Sequence, residues 1–293
     1  RVQAALADLD LVYHGAGPFI HTRQPMVEAC LATQTHYLDV TGEPPVFAAN
    51  VALHDQAQQA GITLMSGTGF DVVPTDCLAK YVSDKCSDAV KLEIGIAGLG
   101  HSSAGTTKTA LEHLPSGVFV RRDGKMINVP ISKETVEIAF ADRPRKTLQM
   151  TWGDLETAYR TTNIPNISIY MALPPGQIQQ LQKFGKVMQT AFRITPLRRL
   201  AQNWVDKNIK GPNAEQRKKG KAQVWAKASR SSDDFVEAWL ETPETYEFTA
   251  LAGVRCIEKV LEQNPKGALT PALAFGADFV LDIPGVRRLD EIS

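Results

Sequence analysis

Thr35-His36-Tyr37-Leu38-Asp39-Val40-Thr41-Gly42-Glu43 is the stretch whose reading decides the fold. Tyr37 to Val40 reads as a short buried strand, and it ends in a polar turn with two carboxylates and a hydroxyl. Strands of an α/β sheet deliver polar groups in this way to the edge where ligands bind. The stretches on either side have the same form: Leu11-Val12-Tyr13-His14-Gly15-Ala16-Gly17-Pro18-Phe19 before it, and Ile62-Thr63-Leu64-Met65-Ser66-Gly67-Thr68-Gly69-Phe70-Asp71 after it. Three consecutive strand ends rich in Gly, Thr and Asp say more together than any one of them.

Helical patterns separate these strands. Met26, Val27, Cys30 and Leu31 fall at helical spacing within 24–33, a helix entered through Pro44-Pro45 is expected to run to Ala60 and stop at Gly61, and 75–85 is expected to be helical after Pro74. Strand centres recur every ~25 residues, the spacing of a right-handed βαβ crossover. Residues 1–87 are therefore expected to form part of a Rossmann-type doubly wound parallel sheet. Three strands are visible where a whole dinucleotide fold has about six, so they read as its C-terminal part. The chain opens at Arg1, inside a helical pattern, and is expected to be an N-terminally truncated piece of a longer protein.

Beyond Ser87 the pattern changes. Strands are expected at 91–97, in a hairpin over 117–129 around Asp123-Gly124, and at 147–152, 167–173, 222–229 and 235–242, with a helix over 106–114. Successive strands with few helices between them predict a second α+β domain, 88–293, with a mostly antiparallel sheet. Into it falls a basic amphipathic helical insert at about 177–221. Across 183–221 eleven basic residues face two acids, so a segment of net +9 sits in a neutral chain. A solvated face of packed helices explains this, and so does a surface that meets a membrane, an acidic carrier protein or a cofactor phosphate.

With 43% hydrophobic and 22% charged residues, the 293-residue chain can bury a large core. Lys+Arg and Asp+Glu both total 32, so whole-chain charge gives no argument for nucleic acid or for an acidic partner, and no nucleic-acid partner is expected. Cys30, Cys77, Cys86 and Cys256 form no C-x-x-C pair and read as reduced core cysteines. With no signal-like start and no long apolar run, a cytoplasmic location is expected, peripheral to a membrane if the basic segment docks there.

The strand ends hold the candidate chemistry. Gly15-Ala16-Gly17-Pro18 lets a ligand approach the backbone, or is a plain β-to-α turn. Asp39, Thr41 and Glu43 can orient a polar substrate or move a proton, because a partly buried carboxylate has its pKa raised; capping of the helix near Pro45 is the alternative. Asp71 and Asp76 carry the same ambiguity. Gly98-Leu99-Gly100-His101-Ser102-Ser103-Ala104-Gly105 has its third glycine displaced from a phosphate-loop pattern and reads better as a connection near substrate, with Thr106 and Thr107 at a helix start. The six histidines and four cysteines lack metal-ligand spacing, and no G-x-S-x-G elbow is present.

At these residues the chain resembles the saccharopine dehydrogenase-like oxidoreductases, in particular the branch that includes trans-acting enoyl reductases. The resemblance is carried by residues 15–19, 25–30 (Pro-Met-Val-Glu-Ala-Cys), 35–43, 67–76 (Gly-Thr-Gly-Phe-Asp-Val-Val-Pro-Thr-Asp), 104–106, and 270–279 (Thr-Pro-Ala-Leu-Ala-Phe-Gly-Ala-Asp-Phe). It implies an NAD(P)-binding Rossmann domain, a second domain for substrate and dimer contacts, and hydride transfer between a nicotinamide ring and a carbonyl, imine or enoyl group of a small or acyl-type substrate. By resemblance, Gly15, Ala16, Gly17, Pro18 and Phe19 border the nicotinamide, Gly69, Phe70 and Asp71 with Pro74 close over it, and the 39–43 turn faces substrate. From the residues themselves Thr41 and Thr106 are the expected substrate contacts, and one of Asp39, Glu43 or Asp71 positions substrate or relays the proton. NAD or NADP is the expected cofactor, although the family's glycine-rich phosphate loop is absent from this chain. A non-catalytic member docking on lipid through 177–221 is the alternative.

Overall fold

The computed structural model describes residues 1–100, 103–130, 135–211, 213, 215 and 220–292. In chain order the elements are α1 (Val2–Leu6), β1 (Leu11–His14), α2 (Phe19–Thr33), β2 (His36–Asp39), α3 (Pro44–Val51), α4 (His54–Ala60), β3 (Thr63–Met65) and α5 (Val73–Lys85). There follow β4 (Lys91–Ala97), α6 (Ala104–His113), β5 (Val118–Arg122), β6 (Lys125–Val129), β7 (Val136–Ala139), β8 (Pro144–Gln149), α7 (Asp154–Thr162) and β9 (Asn166–Ala172). The chain closes with α8 (Pro175–Phe192), α9 (Thr195–Asn208), β10 (Lys221–Ser229), β11 (Phe235–Pro243), α10 (Thr245–Gln263), β12 (Gly267–Ala268), α11 (Pro271–Phe275) and β13 (Arg287–Leu289).

The first sheet is parallel, in the order β1-β2-β3-β12, with His14 opposite Asp39 and Leu38 opposite Met65. The expected three strands are therefore joined by a fourth, two residues long, from near the other end of the chain. Pattern over so short a run carries no signal. The expected single helix to Ala60 is two pieces, and the second turns to lie on β12, where the His54 ring bonds the Ala268 carbonyl at 3.0 Å. Gly61 ends α4 at φ +71°, the left-handed stop a C′ glycine supplies.

The second sheet runs β13-β11-β10-β4-β9-β5-β6, with β8 also on β9 and β7 on β8. Among the described residues only the β4–β9 pair in it is parallel, so it is mostly antiparallel as expected. Asp123 and Gly124 both take positive φ, +48° and +73°, the backbone a two-residue hairpin turn needs.

Helix α5 joins the halves. Val73, Cys77, Leu78, Ala79 and Val82 are buried together with Leu38 and Met65 of the first sheet and Ile94, Val224, Ala238 and Leu240 of the second, in one continuous core. A second cluster, Leu6, Val27, Cys30, Tyr37, Ile62 and Leu64, fills the other face of the parallel sheet. The four cysteines are buried and unpaired.

Candidate active site

Because β1, β2 and β3 are parallel neighbours, their three polar C-terminal turns lie side by side on one edge. What each carboxylate does there depends on the donors the fold brings to it. Asp39, fully buried, is an acceptor for the Thr41 amide (3.0 Å) and the Gly67 amide (3.1 Å) at Oδ1 and the Ser66 hydroxyl (2.8 Å) at Oδ2. Burial pushes its pKa up and these three donors pull it back. Its backbone carbonyl accepts from the Thr68 amide and hydroxyl, at 2.9 and 2.8 Å. Asp39 thus ties the end of β2 to the end of β3.

Glu43 is a cap for a different helix from the one it precedes. Its two oxygens accept from the Phe19 amide (2.8 Å) and the Ile20 amide (3.0 Å), the first turn of α2. That is why α2 begins at Phe19 when local pattern predicts a start near Gln24. Thr41, also buried, accepts from the Glu43 amide at 3.1 Å.

Asp71 has no such set. It is half-buried, and its Oδ1 is enclosed without a hydrogen-bond partner among the described residues. The carboxylate is wedged between Gly42 and Gly153: a Cβ on Gly153 would stand 2.6 Å from Oδ1, and one on Gly42 would collide with Oδ2. Burial holds the Asp71 pKa well above the usual carboxylate range, opposed by the Gly153 amide. Behind it, at the start of α7, Asp154 is fully buried and neither of its oxygens is hydrogen-bonded among the described residues. The Thr75 hydroxyl beside it donates to the Val72 carbonyl at 2.9 Å. Burial first, then the charges of Asp71 and Asp76, push the Asp154 pKa well up. Asp76 itself is satisfied, by the Thr161 hydroxyl (2.6 Å) and the Ala272 amide (3.0 Å).

At the end of β1, Gly15, Ala16 and Gly17 are exposed, Pro18 is half-buried and Phe19 is buried. A Cβ at Gly15 would meet nothing within 4 Å, so there is open room against this backbone. His14, which is not among the expected site residues, is buried with Nδ1 3.0 Å from the Tyr37 hydroxyl and Phe19 edge-on at 5.3 Å. Burial lowers the His14 pKa, against the pull of Asp39.

Gly69, Phe70 and Pro74 are buried in packing. The Phe70 amide donates to Thr249 at 3.1 Å and its ring meets Phe248 edge-on at 5.7 Å. Helix α10 lines the back of the site: Tyr246 accepts from the Ser103 amide (2.6 Å), Thr249 abuts Gly69, and Gly253 lies under the Tyr13 hydroxyl. The side chain of Thr106 and residues His101 and Ser102 lie outside the described residues. Among the described residues no group of three His, Cys, Asp or Glu is placed to hold a metal ion.

A four-stranded parallel sheet backed by a larger mixed sheet makes an α/β fold that solved structures share. Saccharopine dehydrogenase (L-Glu forming) from Saccharomyces cerevisiae shares it, with TM-score 0.63 and 12% identity over 98% of this chain and 86% of that one. Homospermidine synthase from Legionella pneumophila, solved in complex with NAD, matches at TM-score 0.58 and 9% identity over 99% and 78%. In sequence, a Mycobacterium tuberculosis protein described as a trans-acting enoyl reductase is 38% identical over 76 residues, and the saccharopine dehydrogenase-like oxidoreductase of Rattus norvegicus is 30% identical over 76 residues. Each alignment covers 26% of this chain and 18% of the relative. No family model matches the chain. The expected resemblance therefore holds in sequence over a quarter of the chain and in fold over nearly all of it.

Proposed function

We propose that this chain belongs to an NAD(P)-dependent oxidoreductase that moves hydride to or from a carbonyl, imine or enoyl group of a small or acyl-type substrate. The observation that carries this reading is the contiguity of the edge. The open Gly15–Gly17 turn leads into Phe19, Phe19 is bonded to Glu43, and Gly42 next to Glu43 touches Asp71, the acid whose Oδ1 has no hydrogen-bond partner among the described residues.

The residues fit a nicotinamide at that turn, because exposed backbone with free space at Gly15 accepts a flat ring closely. When bound, the cofactor supplies or receives the hydride. Gly15 to Pro18 would border it, and His14, oriented by Tyr37, would set the wall beside it. The first amides of α2 are taken by Glu43, so that helix start is not a phosphate cradle. This supports placing the ring and substrate on this edge.

Asp71 is the proton-handling group in this proposal. A carboxyl with a raised pKa can hold a proton near neutral pH and pass it to the substrate as charge develops. Asp39, Glu43 and Thr41 serve by holding the edge in shape. Calorimetric titration of the full-length protein with NADH and NADPH tests the reading: binding of at least one is expected, and no binding of either overturns it. An Asp71→Asn variant is expected to bind cofactor normally and lose turnover.

A further inference from the structure

Helices α8 and α9 carry an apolar face that the fold leaves open. On α8, Phe184 and Val187 are 55% and 67% exposed; on α9, Leu200 and Trp204 reach 68% and 61%, with Ile194 just before it at 54% and Leu197 at 45%. Positions 197, 200 and 204 share one stripe by helical spacing. The opposite side of α9 is committed. Val205 is buried, Arg198 pairs with Glu112 at 3.3 Å, Gln202 donates to Glu112 at 2.9 Å, and Asp206 pairs with Lys108 of α6 at 2.9 Å. These contacts hold the apolar stripe outward.

The charge on this surface has one sign. Residues 175–211 contain seven basic side chains and one acid, and that acid, Asp206, is taken by Lys108. Lys183, Lys186, Arg193, Arg199, Lys207 and Lys210 are exposed among the apolar side chains. Large apolar groups gathered in water mark a surface that something covers. A second copy offering the same face would set basic groups against basic groups. The side chains also stand out from adjacent helices, a shape that enters a soft interface. Trp, Phe and Leu ringed by Lys and Arg fit the boundary between headgroups and acyl chains of an anionic bilayer, where the apolar groups insert and the cations meet phosphates.

We propose that α8 and α9 are the surface by which this chain docks on anionic membrane, with Phe184, Val187, Leu197, Leu200 and Trp204 entering the interface. The contact is peripheral for these helices, since none described is long and apolar enough to cross a bilayer. The proposal stands apart from the active-site reading and fails or holds independently of it. Arg217, Lys218 and Lys219, counted in the sequence as part of the basic segment, lie outside the described residues, and the test leaves them unchanged.

The test is flotation of the full-length protein with vesicles of phosphatidylcholine alone or mixed with phosphatidylserine. Wild type is expected to float with the mixed vesicles and to detach as salt rises. Leu200→Glu with Trp204→Glu, and separately Lys183→Glu with Lys186→Glu and Arg199→Glu, should each lower partitioning on the order of tenfold or more. Brominated acyl chains should quench a fluorescence component that Trp204→Phe lacks, a readout that survives if a charge-reversed variant folds poorly. No flotation of wild type, flotation indifferent to both sets of changes, or no Trp204 quenching overturns the proposal. So does a stoichiometric dimer, or a complex with an acidic acyl-carrier protein, that the Leu200→Glu and Trp204→Glu pair abolishes while vesicles bind nothing.

Discussion

Replacing Asp39 by alanine removes the acceptor for three buried donors at once, the amides of Thr41 and Gly67 and the hydroxyl of Ser66. An orphaned buried donor costs about 1–3 kcal/mol, so the low end gives roughly 3 kcal/mol for the three. Relief from burying a carboxylate offsets part of this. At roughly 2–4 °C per kcal/mol for a domain of this size, the melting temperature should fall by roughly 6–12 °C before that offset. Asp39→Asn separates structure from chemistry. The new carbonyl oxygen still serves the two amides, and its NH₂ faces Ser66, whose oxygen already accepts from Asn50 at 2.6 Å. Ser66 then loses the acceptor for its own proton, so this variant should lose only about 1 kcal/mol. Urea titration with thermal melts of wild type and both variants is the assay. If Asp39→Ala melts like wild type, or Asp39→Asn keeps full stability and loses all turnover, the assignment of Asp39 to structure is refuted and it becomes a catalytic candidate.

Asp154→Asn should stabilise the protein increasingly as pH rises. The Asp154 pKa is raised in the folded state, so folding binds its proton and wild-type stability is lost above the unfolded value of about 4, at up to about 1.4 kcal/mol per pH unit. Melts of the two proteins that stay parallel from pH 4 to 8 would contradict this. Glu43→Ala removes both acceptors at the start of α2 and should cost about 1–2 kcal/mol, with Glu43→Gln intermediate, by urea titration. Gly42→Ala places a methyl against the Asp71 carboxylate and should lower kcat far more than it lowers the melting temperature; wild-type turnover would detach Asp71 from the chemistry. A thiol reagent should reach none of the four cysteines before unfolding, since all are buried and burial pushes the Cys30 thiol up to about 12.

Legibility in the sequence followed the range of the forces involved. The first three parallel strands announce themselves because an apolar run and its Gly, Thr and Asp turn are consecutive residues. The Asp123-Gly124 hairpin is local in the same sense. Helix α10, which is not among the expected elements, has a local pattern too: Phe248, Ala252, Cys256 and Val260 repeat at four-residue spacing and are all buried, and Glu244 caps the Tyr246 and Glu247 amides at 2.9 and 3.2 Å. Strand β12 offers no such signal, because two residues have no period. It exists because β3 presents a free edge to which Gly267 and Ala268 can add.

The sequence by itself determined the class of sheet, its first three strands and the polar strand ends that carry Asp39, Glu43 and Asp71. It could not rank those acids. Each ends or follows a strand in similar company, and a carboxylate's role depends on how many donors reach it from elsewhere in the chain. The Thr41 amide reaches Asp39 locally, but only the tertiary structure brought the Ser66 hydroxyl and Gly67 amide to Asp39 and two helix amides to Glu43, and left Asp71 between two glycines with an oxygen unbonded among the described residues. Hydrogen bonds over 23 to 28 residues of sequence separation made that division. Their donors come from other turns of the sheet edge and, for Glu43, from the start of α2, so no local pattern could show it.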